Sequence, residues 1–194
     1  MTNKKQDFAG TLFLITGLSG GGKTSVCNAA ISKFPQITKI ISYTTRQPRK
    51  GEISGQDYIF VSNKEFDRLK ETGKILEKCA YADHFYGTPS LLQFNLTLGS
   101  DCAIVVTLSG ALSLKQIFPK SFIVFVTTPS LTEAEKRIRA RGDDEALINQ
   151  RLLENKKDYN LFKQNIDAIS LVITNKKFER SVDELIAFFG QTRL

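Results

Sequence analysis

Cysteine is scarce in this 194-residue chain. There are three, Cys27, Cys79 and Cys102, an odd and scattered set with no C-x-x-C spacing. That argues against a disulfide scaffold and gives no zinc-ligand pattern; it suits a reducing cytoplasm. Long apolar runs are missing too. None approaches the roughly 18 residues needed to span a bilayer, and Met1 to Asp7 lead into a short strand-like run rather than an export signal with a cleavage site. No membrane association is expected. Histidine occurs once, at His84 beside Phe85-Tyr-Gly, and reads as a surface-loop residue. Internal repeats and low-complexity tracts are absent.

What is present is an ordinary globular composition. The chain is 41% apolar and 24% charged, enough to bury a core and unlike a disordered segment. Its length fits one domain, or one core with inserted lobes. The net charge of +7 favours anionic partners, whether nucleotides, nucleic acid or lipid. The basic residues are spread along the chain, so charge alone does not choose among them.

Short apolar, β-rich runs at Thr11–Thr16, Ile37–Ser42, Tyr58–Val61, Ala103–Thr107, Phe122–Thr127 and Ser170–Thr174 read as strands. Helical spacing covers Lys23–Lys33, Asn63–Thr72, Leu131–Ala140, Glu145–Lys157 and Ser181–Phe189. Residues 44–57, rich in charge, Gly and Pro, read as loop. Strands alternating with helices predict an α/β fold with a parallel sheet covered on both faces. Phe122, Phe125, Phe188 and Phe189 sit at core-like positions and read as packing rather than a base-stacking platform.

The strongest local signal is Gly17-Leu-Ser-Gly-Gly-Gly-Lys-Thr24. It fits G-x-x-x-x-G-K-[ST] and lies between a predicted strand and a predicted helix, the context this motif needs. Glycines let backbone N–H groups turn inward around an anion, and the following helix offers its positive end. Gly17, Ser19, Gly20, Gly21, Gly22, Lys23, Thr24 and Ser25 are therefore candidates to hold ATP. Lys23 is expected to reach the β- and γ-phosphates, and Thr24 to offer its hydroxyl to Mg²⁺.

A second signal is Ser42-Tyr-Thr-Thr-Arg-Gln-Pro-Arg-Lys-Gly-Glu52, continuing to Tyr58-Ile-Phe. Arg46 and Arg49 are two forks three residues apart, a pattern suited to phosphate and equally to a solvated basic loop. A third is Arg137-Ile-Arg-Ala-Arg141-Gly-Asp followed by Ile148-Asn-Gln-Arg151-Leu; by itself it also fits a solvated amphipathic helix.

Together these segments resemble the guanylate kinase family, with its T-T-R-x-P-R-x-G-E, G-x-D-Y-x-F, R-L-x-x-R-G and I-x-x-R-L patterns, from about Gly10 to the last helix. The resemblance implies a P-loop core (1–37, 91–128 and 161–194), a lobe for the acceptor nucleotide (38–90) and a helical lid (129–160). It implies that Arg46, Arg49, Tyr58 and Tyr86 hold the phosphate of GMP, that Ser42, Glu77 and Thr107 face guanine, that Arg141 and Arg151 close over the ATP phosphates, and that Asn175 lies near adenine. The implied catalytic set is Lys23, Arg46, Arg141 and Arg151. In-line phosphoryl transfer needs no histidine base. The implied partners are ATP and GMP with Mg²⁺ and no nucleic acid, in a monomer or homodimer.

One family motif is broken. Where guanylate kinases carry D-x-D-x-Q-G, this chain has Val105-Val-Thr-Leu-Ser-Gly110. The carboxylate on the metal side becomes Val105 and the one on the base side becomes Thr107. Magnesium often needs only one or two carboxylates, so the first loss weakens the site rather than removing it. A lost charged hydrogen bond costs roughly 1.5–3 kcal/mol. An active guanylate kinase, a kinase with a different phosphorylated acceptor, and a kinase-like binding module all remain open at this point. The intact Lys23 and Thr24 favour the kinases.

Overall fold

The computed structural model describes residues 8–49, 51–142 and 144–192. Its organising element is β1 (Leu12–Gly17), buried at all six positions. An unbroken apolar run has no polar side to turn toward water, so it must be covered on both faces. It lies at the centre of a five-stranded sheet. On one side it pairs with β7 (Cys102–Val105), which pairs with β2 (Thr38–Ile40). On the other it pairs with β8 (Phe122–Thr127), which pairs with β9 (Leu171–Thr174). Every pairing is parallel, with Phe13 beside both Ala103 and Phe122. This is the α/β class that the strand–helix alternation predicts.

Two cores follow from the two faces. Phe13, Ile15, Val124 and Val126 meet α1 (Lys23–Lys33) and α7 (Phe178–Gln191), which bring Val26, Cys27, Leu185 and Phe189. Leu12, Leu14, Ile104 and Ile123 meet α3 (Leu91–Thr97) and α4 (Leu108–Ile117), which bring Leu92, Leu96 and Leu114. Phe13 and Phe189 pack edge to face at 4.7 Å between centroids, an arrangement that adds to simple burial.

A second sheet orders β4 (Ile59–Phe60), β3 (Tyr43–Thr44), β6 (His84–Pro89) and β5 (Ile75–Tyr81). Of these, sequence periodicity shows only the neighbourhood of β4. The β5–β6 hairpin is half-buried with an irregular pattern, and its register shifts between Ile75 and Glu77, so neither alternation nor a continuous apolar run marks it. Residues 38–40, expected to open the acceptor lobe, form β2 and pair in the larger sheet. Helix α2 (Asn63–Glu71) packs on the small sheet through Phe66. Helices α5 (Leu131–Arg139) and α6 (Glu145–Gln164) form the remaining unit; α6 runs seven residues past the expected end at Lys157. Its extension is held by Phe162, stacked on Phe125 of β8 at 4.2 Å.

Helix starts follow capping chemistry. Ser62, Thr107, Ser130 and Asp144 each accept a hydrogen bond from the N–H three residues on. Helices α1, α3 and α7 start with no side-chain cap, and α1 alone of these follows a residue in the left-handed region, Gly22. The first N–H groups of α1 are thus left for another anion.

Phe189→Ala is expected to destabilise the fold by about 3–5 kcal/mol, because it empties the contact between α7 and the central strand. The midpoint of urea unfolding measures it.

Candidate active site

Between the end of the large sheet, the small sheet and the α5–α6 unit lies a cavity of about 920 Å³. One wall is the glycine-rich loop. Gly17, Gly20 and Gly22 take φ of 140°, 83° and 85°, values that L side chains resist. At Gly17 a Cβ would also lie 1.9 Å from the Val126 carbonyl oxygen. The loop is braced from behind at successive residues. Asn155 accepts from Ser19 N–H (2.7 Å) and donates to Ser19 O (2.9 Å). Gly20 packs against the backbone of Ala134. Gly21 N–H donates to Leu18 O, and Gly21 O accepts from Asn175 Nδ2 at 2.9 Å.

Gly21 and Asn175, both expected to meet the donor nucleotide, lie outside the cavity lining. Asn175 is buried, with its amide committed to Gly21 and to the Ser181 hydroxyl. The other loop candidates (Gly17, Ser19, Gly20, Gly22, Lys23, Thr24 and Ser25) do line the cavity.

Lys23 faces that cavity at the start of α1. Burial pushes its ammonium down to about 8, and Arg141, Arg49 and Arg151 push the same way; only Asp158 opposes them. Four cations, from the glycine loop, the α5–α6 unit and the segment after β3, thus converge on one space. Like charges brought together in a partly dry site are costly unless an anion joins them.

The other half of the cavity is built by the small sheet. Arg46 is buried, its fork holding Glu52 at 2.6 and 2.7 Å and its plane lying over Tyr58 and Phe60. It is not the solvated loop residue that its spacing allowed, and Glu52 already occupies its fork. Arg49 donates its backbone N–H to the same carboxylate, while its Nε is buried without a partner. Tyr58 and Tyr86 meet edge to face at 5.9 Å beside these arginines; burial pushes the Tyr58 phenol up to about 12, so it stays a hydroxyl donor. Glu52 stands in the quoted motif, yet only the fold reveals its role.

At the far end, Glu77 accepts from the Thr88 hydroxyl through Oε2 at 3.1 Å, while Oε1 is buried with no partner. Burial raises its carboxyl above the usual range, with the Thr88 bond opposing. Ser42, Val105 and Thr107 line the same corner. Thr107 Oγ1 accepts from Gly110 N–H at 3.0 Å and touches Cys79 Sγ at 3.2 Å, so part of its capacity goes to capping α4. His84, expected on a surface loop, instead opens β6 and lines the cavity, where burial, Arg46 and Arg151 lower its pKa. Asp158 also lines the cavity and was not anticipated: it lies on a long helix whose pattern offers no motif at that position.

Thr24 lines the cavity at the loop. No group of three or more His, Cys, Asp or Glu forms a metal cage among the described residues. A single hydroxyl beside a phosphate-sized space fits a magnesium ion that nucleotide oxygens and water complete.

A braced glycine loop at an uncapped helix start, facing a second pocket with its own arginines and an unpaired carboxylate oxygen, is the layout of a P-loop nucleoside monophosphate kinase. Comparison with known proteins is specific. The family profile described as guanylate kinase matches residues 9–192. The chain is similar to the guanylate kinase of Nostoc sp. (34% identity, 97% of this chain, 94% of the relative). It is also similar to that of Caldanaerobacter subterraneus subsp. tengcongensis (36%, 96% and 88%). The crystal structure of guanylate kinase from Anaplasma phagocytophilum superposes with a TM-score of 0.75 at 27% identity, covering 97% of this chain and 88% of that one. The chain belongs to the guanylate kinase family, and it is a phosphotransferase of that family.

Asp158 gives a pH test. Burial raises its carboxyl from 3.8 to about 6, against the pull of Lys23. A group raised in the folded state contributes stability that is full below its unfolded value and is lost as pH climbs through the folded one. Asp158→Asn removes that loss. The variant should gain stability over the parent between pH 3.8 and about 6 and keep the gain above it, read from urea midpoints without nucleotide.

Proposed function

We propose that this protein transfers the γ-phosphoryl group of ATP to GMP by in-line displacement, with the residues of the cavity divided between the two nucleotides. The observation that carries the assignment is a pair of complementary ends: four basic side chains gathered around one space, and Glu77 with a buried oxygen lacking any donor. A ligand with a phosphate at one end and N–H groups at the other answers both. Guanine offers N1–H and a 2-amino group to a carboxylate acceptor.

On this reading Gly17, Ser19, Gly20, Gly22, Lys23, Thr24 and Ser25 hold ATP, with the N–H groups at the start of α1 on its phosphates. Arg49, Tyr58 and Tyr86 hold the acceptor phosphate. Arg46 shapes that pocket through Glu52 and lends charge. Glu77, with Ser42, Thr88 and Thr107 beside it, receives the base. Arg141 and Arg151 neutralise the migrating group and help exclude water. Thr24 would hold Mg²⁺, which when bound neutralises phosphate charge. The cleft lies between a core, an acceptor lobe and a lid, and closure of the lid over it belongs to this proposal.

We infer a reducing cytoplasm as the compartment of the chain, a reading supported by its three free thiols. Its partners are read as the two nucleotides, without nucleic acid, in a monomer or homodimer.

The test is ADP formation from Mg·ATP with GMP, dGMP, AMP, UMP, CMP or IMP. Turnover should require GMP or dGMP and vanish in Lys23→Ala. Glu77→Gln should raise the KM for GMP by about tenfold to a hundredfold, the cost of a charged hydrogen bond of roughly 1.5–3 kcal/mol, with little change in the KM for ATP. Turnover with another acceptor alone would reassign the substrate. No turnover with any of them would reject the kinase assignment.

A further inference from the structure

Asn155 lies four residues after Arg151 and three before Asp158 on α6, so the three share one helix face. Arg151 and Asp158 line the cavity. Asn155 does not. It is 2% exposed, and its amide is spent wholly on Ser19, which is 136 positions away in sequence. Oδ1 receives the Ser19 N–H and Nδ2 donates to the Ser19 carbonyl. Among side chains of this size, only an amide offers an acceptor and a donor side by side in one plane, and only one orientation of that amide satisfies both contacts.

The consequence falls on the loop. With Ser19 held by Asn155, Gly21 N–H held by Leu18 and Gly21 O by Asn175, the peptides on either side of Gly20 have little freedom left. The N–H groups of Gly20, Gly22, Lys23 and Thr24 take no backbone acceptor among the described residues. These are the donors available to an anion in the cavity, and their directions depend on how Ser19 is fixed.

We propose that Asn155 is a positioning residue for donor binding: from the helix that carries Arg151, it fixes both backbone groups of Ser19 and so aims the N–H groups of Gly20, Gly22, Lys23 and Thr24 at the phosphates of the donor nucleotide. The proposal rests on the kinase reading above. It assigns Asn155 no contact with substrate. It also makes Asn155 a point at which α6 is fastened to the core, with the Phe162–Phe125 stack about two turns further on. Arg151, one turn before the fastening, is thereby kept in register with the loop.

The experiment compares the parent with Asn155→Asp and Asn155→Ala. Asp has nearly the same shape and can still accept from Ser19 N–H, but it sets an oxygen against the Ser19 carbonyl. Each variant is titrated with Mg·ADP by calorimetry without acceptor, and its KM is measured for both nucleotides. Loss of the amide should weaken Mg·ADP binding and raise the KM for Mg·ATP by about tenfold in both variants, the range expected when buried backbone groups lose a partner. The KM for GMP should stay within about twofold. Thermal unfolding separates the structural cost. A lowered midpoint with Mg·ADP affinity and both KM values unchanged in Asn155→Asp would overturn the proposal and leave Asn155 a packing residue. An equal rise in both KM values would also overturn it, since the effect would then not be local to the loop. If the parent itself bound no Mg·ADP, the kinase reading would fall, and this proposal with it; binding by the parent with no effect in the variants would sink the proposal alone.

Discussion

Holding positive charge in a half-dry cleft is the constraint on which the rest of this structure depends. Lys23, Arg49, Arg141 and Arg151 repel one another across a common space, and Arg46 is buried a short way off. Left alone, such a cluster would either open or shed protons. The fold answers in three ways. Glu52 pairs with Arg46 and receives the Arg49 backbone N–H. Asp158 faces Lys23 from α6. The third is position: Arg141 and Arg151 stand at the cavity, where an anion can enter.

The same logic explains why the supports are so rigid. A loop of glycines is free to adopt many shapes, yet phosphate recognition by backbone N–H groups works only if they are aimed beforehand. Here the aiming is done from behind, by Asn155, the Ala134 backbone and Asn175, each on a different element. The acceptor pocket is organised similarly. Its arginines are oriented by Glu52 and by stacking over Tyr58 and Phe60, and its carboxylate is fixed by Thr88. In both halves a group that touches the cavity is held by one that does not.

Val105 and Thr107 show how this chain departs from its family without losing the architecture. Val105 belongs to the apolar core that covers the sheet, and Thr107 serves as the cap of α4. Both positions thus keep a structural duty while contributing no carboxylate. The corner lined by Ser42, Glu77, Cys79 and Thr107 is left with one acidic residue beside a set of hydroxyls and a thiol, and the loop end with the Thr24 hydroxyl. The charge balance of the cleft is accordingly more positive than two further aspartates would make it.

How much of this was legible beforehand depends on distance along the chain. The glycine loop, the strand before it and the helix after it are local: eight consecutive residues carry both the geometry and the chemistry, and the boundaries of α1 agree with the pattern at both ends. The arginines, tyrosines and Glu77 were legible through family resemblance, because they stand in short, ordered motifs. The β5–β6 hairpin was not, since a half-buried strand with a register shift has no clean period. Nor was the placement of Asn175 behind the loop, the capture of Arg46 by Glu52, or the position of His84 on the lining of the cleft. Asn155 and Asp158 lay furthest from view. On paper they are polar residues on a long charged helix, and their importance arises because the fold brings positions 136 residues apart within hydrogen-bond reach. The sequence by itself determined which groups could bind phosphate and a purine base. Only the tertiary structure decided which of them face the ligand and which hold the others in place, because that depends on contacts between segments that no local pattern encodes.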